Sequence, residues 1–174
     1  MESIYLVGFM GCGKTTVGKE LAKRANKKFI DLDEEIVFQT GKSIPELFNE
    51  FGESGFRDIE TKVLKNLPSK KMIASTGGGI ILRDENIEYM KETGKIIYLE
   101  TPIEIIYERI HLDSNRPNAV NRTIEELTEL FKKRESQYKK ADYEVSTTNL
   151  TPIEIALGII DCLNYSKGGD SRNR

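Results

Sequence analysis

Gly8-Phe9-Met10-Gly11-Cys12-Gly13-Lys14-Thr15 follows directly on the apolar run Ile4 to Val7 and leads into an amphipathic stretch. It matches G-x-x-x-x-G-K-[ST] in full, in the strand–loop–helix setting that gives the pattern its meaning. The glycines let successive backbone N–H groups curl around a phosphate chain, and a helix N-terminus adds partial positive charge. Lys14 is placed to reach β- and γ-phosphates, and the Thr15 hydroxyl to ligate Mg²⁺. A dinucleotide fingerprint fails, because Thr16 stands where a third glycine is needed. There is no Asn-Lys-x-Asp motif for reading guanine, which disfavours a GTPase switch.

The remaining chain alternates short apolar runs with amphipathic ones. Lys14 to Ala25 carries Val17, Leu21 and Ala25 at a spacing of four, which predicts a helix. Phe29-Ile30 is a second strand ending at Asp31. Ser43-Ile44-Pro45-Glu46 is a capping box with an early proline, and Glu53 to Leu67 has an apolar stripe. Met72 to Ala74, Ile96 to Leu99 and Tyr143 to Val145 are three further strands. Helices from about Pro102 to Ile110, Thr123 to Lys139 and Pro152 to Leu163 fill the rest. Strands alternating with helices imply crossovers, hence an α/β fold with a mostly parallel sheet covered on both faces. Ser166 to Arg174 lacks apolar periodicity and is expected to be a frayed tail.

Composition narrows the partners. The chain has 174 residues, one domain's worth. Its 26 basic residues face 28 acidic ones, so a duplex-coating surface is not expected. No apolar run approaches the roughly 18 residues of a membrane span. No leader pattern is visible, and Cys12 and Cys162 are expected to be free thiols in a reducing cytoplasm. Asn121 and Asn149 open glycosylation-type tripeptides that mean little there.

Several polar groups fall where the pattern calls for apolar ones. Asp31 and Asp33 end the second strand, at the edge where parallel sheets bind ligands. They could serve a metal and a hydroxyl substrate, or Asp33 could cap a helix; spacing alone leaves both readings open. Arg134 continues the inner stripe Ile124, Leu127, Phe131 toward Tyr138. A buried guanidinium needs a structural carboxylate or an anionic ligand. Arg57 lies beside Phe56, with Glu60 one turn on as local support. Two arginines on one carboxylate give bidentate recognition. Gly77-Gly78-Gly79 at a strand end marks either a close ligand or a sharp turn. The polar stretch from His111 to Thr123 is either a lid carrying cations or a solvated loop. His111 itself is given no role.

These residues resemble the shikimate kinase family of small P-loop kinases. The blocks are the phosphate loop, Asp31-Leu32-Asp33, Phe51-Gly52-Glu53 with Phe56-Arg57 and Glu60, Thr76-Gly77-Gly78-Gly79, Arg116-Pro117 and Arg134-Glu135-x-x-Tyr138. The resemblance implies a three-layer α/β/α kinase fold with a five-stranded parallel sheet in the order 2-3-1-4-5. It implies one domain over residues 1–165, with an acid-binding helical region near 33–61, a lid near 111–123 and a tail at 166–174. It also implies transfer of phosphate from ATP, with one Mg²⁺, to the 3-hydroxyl of shikimate, by a cytoplasmic monomer.

Residue by residue, the resemblance gives Asp33 the ring hydroxyls and the proton of the attacking one. Arg57 and Arg134 would take the carboxylate, beside Gly78 and the Gly79 N–H. Gly11, Cys12, Gly13, Lys14, Thr15 and Thr16 would cradle the nucleotide. Arg109 would lie against adenine, and Arg116 would close on the transferring phosphate. Lys14, Asp33 and Arg116 form the implied catalytic set. Thr15 would ligate the metal, and Asp31 would hold it through water. Two departures stand out: Asn118-Ala119-Val120 follows Arg116-Pro117 where leucines are usual, and Thr147-Thr148-Asn149 lacks a basic residue. A gluconate kinase, a non-catalytic nucleotide-binding regulator and a motor subunit are the competing readings.

Overall fold

Ser3–Val7 is buried along its whole length, as a strand must be when helices cover both faces of its sheet. In the computed structural model, which describes residues 2–67, 71–112 and 122–168, this strand (β1) lies at the centre. Phe29–Asp31 (β2), Ile73–Ser75 (β3), Gly94–Glu100 (β4) and Tyr143–Ser146 (β5) complete the sheet. The order is β2-β3-β1-β4-β5, and every pairing is parallel, as the resemblance implied. The helices are Lys14–Ala25 (α1), Leu32–Thr40 (α2), Ile44–Lys65 (α3), Asp84–Thr93 (α4), Ile103–Leu112 (α5), Ile124–Tyr138 (α6) and Pro152–Gly168 (α7).

The two-residue period of β1 sorts its side chains into two cores. Tyr5 and Val7 join Phe9, Phe56 and Tyr138 on one face. Ile4 and Leu6 join Val17, Leu21, Ile155 and Ile159 on the other, where α1 and α7 pack. Each such side chain is stabilising by roughly 1.5–3 kcal/mol relative to exposure. Gly94, where β4 begins, has no room for a side chain, because a Cβ there would collide with the Ser3 carbonyl oxygen. Backbone cannot swing aside as a flexible side chain can. Gly94→Ala is therefore expected to cost about 1–3 kcal/mol, read from the midpoint of urea unfolding.

The capping boxes form at Ser43 with Glu46 and at Thr123 with Glu126, so α3 and α6 begin where the sequence placed them. Other boundaries differ from the sequence pattern. Asp31, not Asp33, is the N-cap of α2; its carboxylate accepts from the N–H groups of Asp33 (3.0 Å) and Glu34 (3.4 Å). The capping box and the later stripe belong to one long element, bent at Gly52 (φ 67°, ψ −177°). α4 has no counterpart in the sequence pattern, since its N-cap Arg83 makes no side-chain cap and only Ile87 and Met90 form its apolar face. α7 continues past Leu163 to Gly168, into the first residues of the expected tail. Residues 169–174 lie outside the described residues, as do residues 113–121 of the lid expected at 111–123.

Candidate active site

The loop after β1 turns tightly because Gly11 (φ 75°) and Gly13 (φ 96°) take left-handed backbone angles that other residues resist. Gly13 is the N-cap of α1 and offers no side-chain acceptor, so the first N–H groups of α1 meet no cap from it. The Lys14 ammonium is curled back inside the loop, donating to the carbonyls of Gly8 (2.7 Å) and Phe9 (3.0 Å). Cys12 Sγ lies 3.7 Å from it. The loop thus holds a cation at its centre, with helix N–H groups around it.

Beside the loop, oxygen donors from three elements meet. The Thr15 hydroxyl donates to Asp31 Oδ2 at 2.8 Å and lies 3.3 Å from Ser75 Oγ. The Asp31 carboxylate therefore caps α2 with one oxygen and holds Thr15 with the other. Hydroxyl and carboxylate oxygens suit a hard cation that keeps much of its water, as Mg²⁺ does. Among the described residues no cluster of three or more His, Cys, Asp or Glu side chains forms a closed metal cage.

A cavity of about 280 Å³ opens beyond the loop, lined by Gly11, Cys12, Gly13 and Thr16. Arg109 closes one side, with Nη1 3.2 Å from the Gly11 carbonyl. Leu150, Pro152 and Ile155 form an apolar wall that the sequence did not reveal, because it joins the turn after β5 to a loop some 140 residues earlier. The expected nucleotide residues thus come together, except Arg116, which lies outside the described residues. Thr147 is turned inward and pairs with Thr101 at 2.6 Å.

A second cavity, of about 430 Å³, lies across the phosphate loop and shares no lining residue with the first. Asp33, Arg57, Gly77, Gly78, Gly79 and Arg134 all line it. Arg57 Nη1 donates to Glu60 Oε2 at 2.7 Å, and its guanidinium lies 5.2 Å from the Phe56 ring and 5.8 Å from the Phe48 ring. Glu60 is 1% exposed. Burial pushes its carboxyl above the usual range, opposed by Arg57. Among the described residues its other oxygen has no hydrogen-bond partner, and a Cβ on Gly77 would come within 2.9 Å of it.

Arg134, singled out by its place on the apolar stripe, lines this cavity. It is 8% exposed, yet among the described residues no carboxylate pairs with it, and its Nε has no partner. Its guanidinium lies 5.9 Å from the Phe9 ring. A Cβ on Gly78 would meet Arg134 Nη1 at 3.5 Å, and one on Gly79 would overlap Arg57. Gly79 leaves room for the Arg57 guanidinium, whereas at Gly78 a Cβ would make only an ordinary contact with Arg134. A buried guanidinium is costly unless it is compensated; Arg134 helps to lower the pKa of Glu60, and beside Arg57 it gives the cavity the means to hold an anion. The sequence missed Arg122, which also lines it. His111 is bonded to its own helix through the Tyr107 carbonyl (2.9 Å) and has no place in either cavity.

Comparisons with known proteins agree with this geometry. Residues 10–164 match the model of the family described as SKI, shikimate kinase. A shikimate kinase of Persephonella marina is 45% identical over 161 residues, which cover 92% of this chain and 98% of that one. Another, of Thermodesulfovibrio yellowstonii, is 46% identical over 162 residues, covering 92% and 94%. Among solved structures, the shikimate kinase of Acinetobacter baumannii in complex with shikimate superposes with a TM-score of 0.87 at 38% identity, covering 96% of this chain and 95% of that one.

Proposed function

The chain belongs to the shikimate kinase family, and we propose that it transfers the γ-phosphoryl group of ATP to the 3-hydroxyl of shikimate. The observation that carries this reading is the pair Arg57 and Arg134 at the glycine loop, with Arg134 buried and without a salt-bridged counter-ion among the described residues. The shikimate carboxylate supplies that counter-ion. The ring then extends toward Asp33, whose carboxylate takes the 3-hydroxyl, holds it in line and accepts its proton. ATP fills the other cavity, with its phosphates in the loop and adenine between Arg109 and the Leu150–Pro152 wall.

Phosphoryl transfer depends on position and on neutralised charge more than on covalent chemistry. Lys14 exchanges its two backbone carbonyls for phosphate oxygens. Thr15 and Asp31 would hold Mg²⁺, the latter through water; the ion, when bound, screens the phosphate charge. Arg116 reaches the transferring group from the lid at 111–123. In this reading residues 1–165 act as one kinase domain, with 33–61 as the acid-binding region, working as a monomer in the cytoplasm. No described helix is long and apolar enough to cross a membrane.

Removing the loop cation tests the donor side. Lys14→Ala is expected to lower turnover by about 10²–10³, with shikimate binding unchanged by calorimetry. The reading as a whole is tested by ADP release from Mg-ATP with shikimate, with gluconate and with no acceptor. Release that requires shikimate supports it. Release with gluconate alone replaces the substrate, and ATP binding without acceptor-dependent release replaces the enzyme by a regulator.

A further inference from the structure

Tyr138 is the last residue of α6, one turn after Arg134, and is fully buried. Its ring stacks on Tyr98, 5.1 Å between centroids and 5° from parallel. Its hydroxyl donates to the Gly78 carbonyl at 2.6 Å. Burial pushes that hydroxyl well above its ordinary pKa, so it stays a neutral donor at any working pH. Tyr138 itself is not among the residues lining the acid cavity, but its partner Gly78 is.

The Gly78 carbonyl and the Gly79 N–H are two ends of one planar trans unit, and they point in opposite directions. Drawing the carbonyl back into the core therefore turns the N–H out toward the cavity, where Arg57 stands against Gly79. Glycines on both sides make rotation of this unit cheap, so something must fix it. The neighbouring carbonyls are also held: Gly77 by the Ile80 N–H (3.2 Å), Gly79 by the Leu82 N–H (3.0 Å) and Ile80 by Asn86 Nδ2 (3.0 Å). Those three tie the loop to the 3₁₀ turn and the helix α4 immediately after it. Only the Tyr138 bond, among the described residues, ties it to the helix that carries Arg134.

We propose that Tyr138 is a positioning residue: its hydroxyl locks the Gly78–Gly79 peptide so that the Gly79 N–H and Arg134 present a single fixed carboxylate site. This rests on the acid-binding reading above. The interaction exists in ground and transition states alike, so its loss is felt in binding rather than in turnover.

Tyr138→Phe removes the hydroxyl and keeps the stack. KM for shikimate should rise about tenfold, with KM for ATP and kcat little changed. The same change should shrink to less than about threefold with shikimate methyl ester, which carries no carboxylate charge. Tyr98→Phe removes a hydroxyl from the stacking partner and should leave both KM values in place. Independently of any variant, the Gly79 amide of the wild type should exchange more slowly when shikimate is bound. The inference is overturned by an unmoved KM in a Tyr138→Phe variant of an enzyme that turns shikimate over normally. It is equally overturned by equal effects on acid and ester, by both KM values rising with a fall in melting temperature, or by unchanged Gly79 exchange. A wild type with no shikimate-dependent turnover overturns the acid-binding reading and this inference together.

Discussion

Asp33→Asn is expected to reduce shikimate-dependent turnover by about 10²–10⁴, the range over which a positioned proton acceptor contributes. The amide keeps the size of the carboxylate and can still take a hydrogen bond from the ring hydroxyl. It cannot take the proton. KM for shikimate should therefore move far less than kcat, and ATP affinity not at all. The backbone at this position supports that separation, since the Asp33 N–H is held by Asp31 and not by its own side chain. Steady-state kinetics with both substrates varied makes the measurement. A kcat within tenfold of wild type would remove Asp33 from the chemical step.

Arg57→Ala has two expected consequences that come apart. Losing one of two charged partners for the carboxylate should raise KM for the acid by about 10–10³-fold, with a smaller change in kcat. It should also destabilise the protein by about 3–5 kcal/mol, because a buried carboxylate is left alone. Glu60 is that carboxylate, with a side chain 1% exposed against 12% for Arg57. The pH dependence has a definite sign. Burial already raises the Glu60 pKa, and Arg57 is the main influence lowering it. Without Arg57 the folded state keeps this proton to higher pH, while the unfolded chain releases it near the ordinary value of about 4.3. The folded state then binds more protons, so stability falls as pH rises from about 4.3 through the raised pKa. The deficit relative to wild type should be larger at pH 8 than at pH 5. Arg57→Ala with Glu60→Ala should recover much of the stability and none of the KM. Chemical denaturation at two pH values checks the first half, and kinetics of the double variant the second.

The extent to which the site could be read from sequence depends on the range of each interaction. The phosphate loop is local, so its residues and their geometry were evident from eight consecutive positions. Arg134 was conspicuous because a charge interrupted an apolar stripe, but only the fold could show that, among the described residues, no carboxylate forms a salt bridge with it. Asp31 and Asp33 were indistinguishable by spacing. What separates them is that Thr15, from another element and itself 3.3 Å from Ser75 Oγ, donates to Asp31. α4 lacked a capping signal and had two buried apolar side chains where a stripe was needed. Its packing, not its propensity, makes it a helix. The wall formed by Leu150 and Pro152 carries no polar mark at all, and so nothing in the sequence set it apart.

The two cavities with no lining residue in common have a kinetic meaning. In the proposed reaction each substrate has its own chamber, and among the described residues no lining side chain is shared between them. On that reading the two substrates can bind in either order. The backbone from Met10 to Gly11, where the lining of one chamber gives way to that of the other, is the partition across which the phosphoryl group must cross.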